Sequence, residues 1–227
     1  MHELAARVGP LSTWFLETLA RSADKEAPTI EQVRSRVMAW RDYVSDGLRG
    51  SGHLDQSMDW NEDGDTQWFV LSAADLQALK LLLVYKDADR TPPTELPTNP
   101  PQDPVWSEAA GSEFENALYG ELLAPGIWFP GRFAFNFTCP LPDGSELEAG
   151  FADTLSEQCL AVTEKLLGST PFDWTLWTSP PGENRELIPR ARAAVAALGQ
   201  AARSAEERRV PLFLVPAPSD PNGEQGA

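Results

Sequence analysis

The sequence predicts an α+β fold: an antiparallel sheet built from hairpins, with helices packed mainly on one face. Three observations point there. Residues 132–139 alternate aromatic with small or polar side chains, which puts Phe133, Phe135 and Phe137 on one face with the period of a half-buried strand. Residues 145–151 alternate again, with Leu147 and Phe151 at even spacing, and Pro142-Asp143-Gly144 between the two runs supplies a turn. Thr154-Leu155-Ser156-Glu157 then fits a capping box, and Leu155, Cys159, Leu160, Val162 and Leu166 give the following helix a broad apolar stripe.

The remaining elements follow in order. Residues 1–9 read as a loose or short helical lead. Leu11, Phe15 and Leu19, spaced by four, predict a helix that begins around Pro10 and Ser12. Thr29 and Gln32 form a reciprocal cap for the next helix, whose buried face holds Ile30, Val33, Val37, Trp40, Tyr43 and Val44. Gly47, Gly50 and Gly52 end it. Residues 55–71 read as a first hairpin turning at Asp63-Gly64, after which Ser72 and Asp75 cap a helix bearing Leu76, Leu79, Leu82, Leu83 and Tyr85. Six prolines lie between residues 92 and 104, so neither a helix nor a central strand survives there. That stretch is either an extended spacer or a loop laid across the surface.

Beyond it, residues 107–123 read as a helix and residues 172–177 as a strand. Residues 184–207 form an alanine-rich helix with Pro189 in its first turn. Residues 210–215 form a short strand that Pro211 assigns to a sheet edge. Helix, hairpin and helix occur in the same order at 29–86 and 107–167, each hairpin turning at an Asp-Gly pair, so two similar halves are a further reading. The resulting division is an N-terminal helical and hairpin half at 1–89, a proline-rich linker or surface loop at 90–105, a C-terminal α+β half at 106–215 and a disordered tail at 216–227.

Composition bounds the function. The 227 residues carry 34 acidic and 18 basic side chains, a formal charge of −16. A polyanion of that kind is a poor direct partner for nucleic acid. The charge is uneven: residues 91–179 hold 13 acidic and 2 basic side chains, a net of −11. A field focused in that way steers basic partners. Cys139 and Cys159 are too few for a disulfide framework and read as buried free thiols. No apolar run approaches the roughly 20 residues that span a membrane, and Met1-His2-Glu3-Leu4 does not open a signal peptide. The cytoplasm is the expected location.

Chemistry-bearing motifs are sparse. Asp59, Asn61, Asp63 and Asp65 place oxygen donors at alternate positions, with Gly64 sixth in the run. To that extent the segment resembles the EF-hand loop, and the resemblance implies calcium held by those four residues. It departs at position 12, which is Val70 rather than a bidentate Glu, and a polar turn accounts for the same run. Only His2 and His53 are present, and neither Cys-X-X-Cys nor a Cys–His cluster exists. Gly50-Ser51-Gly52 lacks the Lys-Ser/Thr ending of a phosphate loop. No cofactor is expected.

The expectation is therefore a non-enzymatic acidic protein-binding module, an adaptor, chaperone or inhibitor of a basic protein. In composition and coarse element order it is similar to the small acidic α+β chaperones of bacterial secretion systems. Its expected partner-binding residues are Trp128 and Phe129, read as an exposed apolar loop, with Glu121, Glu146 and Glu148 on the acidic surface beside them. The alternative is a metal-dependent hydrolase or nuclease using carboxylates. A homodimer is expected through the apolar strands at 133–139 and 172–177, with a monomer as the alternative.

Overall fold

The computed structural model describes residues 3–22, 28–52, 58–112, 114, 117–133, 135–141, 146–182 and 184–217. The Pro142-Asp143-Gly144 turn, His2, His53 and the tail beyond residue 217 lie outside the described residues, as does the side chain of Cys139.

Among the described residues six strands form one sheet: β1 (Glu3–Val8), β2 (Gln67–Ser72), β3 (Ile127–Phe129), β4 (Phe137–Pro140), β5 (Glu146–Phe151) and β6 (Leu212–Pro216). Their order is β2-β1-β6-β3-β5-β4. All neighbours pair antiparallel except β3 and β5, which are parallel. The fold is thus α+β on a mixed, mostly antiparallel sheet that does not close.

Residues 3–8, read from sequence as a loose lead, form a strand inside the sheet, with Ala6 opposite both Phe69 and Leu214. The strand expected at 210–215 on an edge instead lies in the middle of the sheet as β6 (Leu212–Pro216), because Pro211 sits just before it and its carbonyl accepts from Gly9 N–H at 3.0 Å. Among the described residues the first hairpin does not form: β2 pairs with β1, and residues 58–66 before it hold no strand, while residues 55–57 of the expected hairpin lie outside the described residues. β4 and β5 do pair antiparallel, with Phe137 opposite Ala149. Strands from both sequence halves therefore share one sheet.

Helices cover both faces, not mainly one. On one face lie α3 (Ala73–Asp87), α6 (Ala152–Ala161) and α7 (Leu187–Arg208), with α4 (Pro104–Gly111) against α3. Leu79, Leu82, Leu155, Ala194 and Leu198 meet Ala6, Leu71, Trp128 and Leu212 there. On the other face α1 (Leu11–Ser22) and α2 (Ile30–Gly50) set Phe15, Val37 and Trp40 against Ile127, Phe129, Phe151 and Phe213. Two apolar faces follow from strands such as β3, whose three residues are all buried. Among the described residues no helix is long and apolar enough to cross a membrane.

Local chemistry explains the boundaries. Thr29 and Gln32 make the reciprocal cap of α2, and the Ser72 hydroxyl accepts from Asp75 N–H at 3.0 Å at the start of α3. Pro189 falls in the first turn of α7. Thr154 does not cap α6: the helix begins two residues earlier, directly from β5, and the Thr154 hydroxyl donates to Phe133 O at 2.6 Å. The helix expected at 107–123 is broken. α4 stops at Gly111, Phe114 has φ of 58°, and only the short α5 (Gly120–Leu123) resumes. Of the strand expected at 172–177, residues 172–175 lie in a 3-10 turn (Pro171–Thr175) and 176–177 in no strand, since Thr170 and Asp173 cap one another.

The proline-rich stretch is a surface strap. Leu96 N–H donates to Arg185 O at 2.7 Å, Leu187 N–H donates to Thr94 O at 2.9 Å, and Leu96 itself is buried. A buried ion pair, Asp75 with Arg190 at 2.8 Å, fixes α3 to α7 and also holds the Ser179 hydroxyl.

Candidate functional site

A cleft of about 530 Å³ opens between α5, α6 and the β4–β5 edge of the sheet. Its polar walls come from Glu121, Asn136, Thr138, Glu148, Thr154 and Gln158, with the rings of Phe114 and Phe135 beside them.

Glu121 is positioned from three directions. α5 is a single turn, and Gln158 on α6 accepts from Leu122 N–H at 3.3 Å, tying the two helices. The indole N–H of Trp128 donates to the Glu121 backbone carbonyl at 3.2 Å. The Glu121 carboxylate accepts from Phe151 N–H at 3.3 Å, at the end of β5. Glu148 faces Thr138 across the β4–β5 pair, and Asn136 Nδ2 lies 3.5 Å from its Oε1.

Burial decides the electrostatics. Desolvation pushes the Glu121 carboxyl up to about 8; the Phe151 N–H and the nearby indole pull it back down, and the charge of Glu148 pushes it up again. On α3, Lys80 is lowered to about 8 by desolvation, against the charge of Glu148, and its ammonium donates to Leu123 O. Lys80 therefore offsets part of the Glu148 charge. Among the described residues no cation forms an ion pair with Glu121. A cleft that gathers shifted groups in this way is where binding or proton transfer is to be sought.

The residues singled out from sequence divide into two groups. Glu121 and Glu148 come together in the cleft, and Glu146 stands exposed two residues before Glu148 on the same strand face. Trp128 and Phe129 do not form an exposed loop. They are 1% and 0% exposed, in a strand paired with β6 on one side and β5 on the other. Trp128 points into one core and Phe129 into the other, so neither is a surface anchor. Of the remaining acids, Asp153 and Glu157 meet Arg132, and Asp103 caps α4.

The resemblance to a calcium loop does not carry over. Asp59 meets Arg41 at 3.1 Å and Arg209 at 3.3 Å, and Asp63 meets Arg34 at 2.8 Å. Asn61 Oδ1 accepts from Asp63 N–H at 2.8 Å, and the Asp65 carbonyl accepts from Arg208. The group that turns inward is Glu62. It accepts from Leu11 N–H at 3.3 Å and Ser12 N–H at 2.9 Å, capping α1 from a distant loop. Arginines pair with the Asp59 and Asp63 carboxylates, and among the described residues no three His, Cys, Asp or Glu side chains lie close enough to share a metal ion.

Lys80, Asn136, Thr138 and Gln158 were not singled out from sequence. The one signal was a lysine among the leucines of α3, where a charge would have to reach a buried acceptor. No protein-family model matches the chain, and no curated protein or solved structure matches it.

Proposed function

We propose that this chain is a non-enzymatic binding module for a basic protein, acting as an adaptor, chaperone or inhibitor. Its cleft receives a cationic side chain of that partner between Glu121 and Glu148. The observation that carries this reading is Glu121, a buried carboxyl in the wall of an acidic cleft that forms no ion pair among the described residues. A guanidinium from outside would bring the missing charge and the donors that carboxylates and Asn136 accept. Binding would then draw the Glu121 proton off, because a nearby cation favours the charged form.

The net charge of −11 across residues 91–179 fits long-range attraction of such a partner. The same reading has the module working as a homodimer in the cytoplasm, offering two clefts to a partner with repeated basic groups. Amide chemical-shift mapping with an oligoarginine peptide tests it. Shifts gathered at Phe151, Asn136 and Gln158 are expected. Shifts spread evenly over the acidic surface would remove the cleft from the account.

The same carboxyl pair motivates the alternative, a metal-assisted hydrolase. It would need a third ligand beyond Glu121 and Glu148. Titration with Mg²⁺ and Mn²⁺ discriminates, since a resident metal site would give saturable heat and thermal stabilisation.

A further inference from the structure

Among the described residues the outer edge of β2 pairs with no further strand, and it lies apart from the cleft. β2 ends the sheet, and its residues, Gln67–Ser72, include no charged side chain and no proline. Sheets ordinarily guard such an edge with lysine, proline or a bulge, because its unpaired N–H and C=O groups template another strand. Alongside runs a groove of about 480 Å³, with Phe69 and Val70 on one side and Trp177, Ala193 and Ala197 on the other. None of its lining side chains is ionisable, on a chain whose net charge is −16. Val70 is 79% exposed, Trp68 is 36% exposed, and Leu176, next to Trp177, is 76% exposed.

We propose that β2 pairs antiparallel with β2 of a second copy across a two-fold axis, so that the sheet runs on through a homodimer. Charge is the first argument for a second copy. Two chains of equal negative charge repel over most of their surfaces, but an uncharged strip lets them meet without burying like charges. A basic partner would gain nothing from this strip.

The second argument is parity. A two-fold axis perpendicular to the sheet keeps every side chain on its own face, so residues facing one another differ by an even number. With the axis at Phe69, Trp68 stands opposite Val70 of the partner subunit, an aromatic and β-branched cross-strand pair. One operation therefore covers both exposed large apolar side chains of the strand, on both copies. On the opposite face Phe69 meets Phe69 of the partner subunit. Ala193 and Ala197 on α7 keep that side of the groove shallow.

This inference extends the homodimer part of the proposed function and stands apart from the cleft, since its test uses no ligand. Sedimentation equilibrium of the full chain at two micromolar concentrations should give a mass about twice 24.9 kDa. Val70→Lys should halve that mass. Val70→Glu carries the same expectation and separates edge blocking from a change in net charge. Tyr43→Lys, at a 67% exposed site on α2, should stay dimeric. A monomeric wild-type chain overturns the proposal, as does a dimer that survives both Val70 variants or one that Tyr43→Lys disrupts equally.

Discussion

Oε2 of Glu121 occupies the space where any residue other than glycine at position 150 would carry its Cβ, and an ideal Cβ there lies 1.8 Å from that oxygen. Gly150 is a β5 residue opposite Trp128, so the carboxyl rests on the sheet itself. Glu121 is held in place by a missing side chain as much as by the Phe151 N–H.

Gly150→Ala should therefore cost about 2–3 kcal/mol, the upper range for overpacking a close contact. In a Glu121→Ala background the same change should cost far less. Urea denaturation of the four chains in this double-mutant cycle measures the coupling. Equal costs in both backgrounds would mean that the carboxyl does not occupy that space.

Stability should fall as pH rises through neutrality. The Glu121 carboxyl is raised from an ordinary 4.5 to about 8. Between those values the folded chain keeps a proton that the unfolded chain has released, so the favoured state weakens with rising pH. The slope from one such group approaches about 1.4 kcal/mol per pH unit. Glu206, raised to about 7 by burial and by Asp153, adds to the decline over its lower part. Lys80 acts in the opposite sense: it is lowered from 10.5 to about 8, so stability recovers as pH climbs through that interval. Urea denaturation from about pH 5 to about pH 10 measures the profile. Glu121→Gln should flatten the decline below pH 8, and an unchanged slope would contradict the shift assigned to this group.

Arg7 and Glu17 should respond unequally to substitution. The Arg7 side chain is 2% exposed, bonds Glu17 through two nitrogens at 2.6 and 2.8 Å, and lies over the rings of Trp68 and Phe213. Removing Glu17 leaves a buried guanidinium without its countercharge and should cost about 3–5 kcal/mol. Arg7→Met leaves a carboxylate that is already 42% exposed, and should cost about half as much or less. Thermal denaturation of both variants reports the order, and Arg7→Met as the more damaging change would reverse this account.

Trp128→Ala should act on stability rather than as the loss of a binding anchor. The ring is almost wholly buried and its N–H reaches Glu121. Truncation should cost about 3–5 kcal/mol, read from the denaturant midpoint. A loss below about 1 kcal/mol would mean that the ring is not in the core.

The contrast with Trp128 shows where the sequence was legible. Elements with a cap and a long period could be read: Thr29 with Gln32, Ser72 before Asp75, and Pro189 in the first turn of α7. The aromatic alternation over 132–139 overstated the strand, since β4 begins only at Phe137 and the described residues from 132 to 136 hold none, yet the rings of Phe133, Phe135 and Phe137 still gather 4.6–6.0 Å from Phe151. Short central strands were not legible. Ile127–Phe129 is buried on both faces, so it shows no alternation, and three residues are too few to show a period. Pairing partners were hidden for a related reason. β2 joins β1 across 50 and more residues, and nothing local to 55–71 records that preference over a hairpin. Of the site, the acids could be named, but Glu121 looked like one more surface charge. Its burial comes from the break of the helix near Phe114, where φ is 58°, and from the bare space at Gly150.

The cleft claim rests on position, not on net charge, and calorimetry with a charge-matched control separates the two. An oligoarginine peptide is titrated into the wild-type chain, into Glu121→Gln/Glu148→Gln, and into Glu31→Gln/Glu164→Gln on exposed helical surface. The account predicts saturable binding to the wild type, at least a tenfold loss in the first variant and little change in the second. Equal weakening in both variants would contradict it and reduce the attraction to diffuse charge.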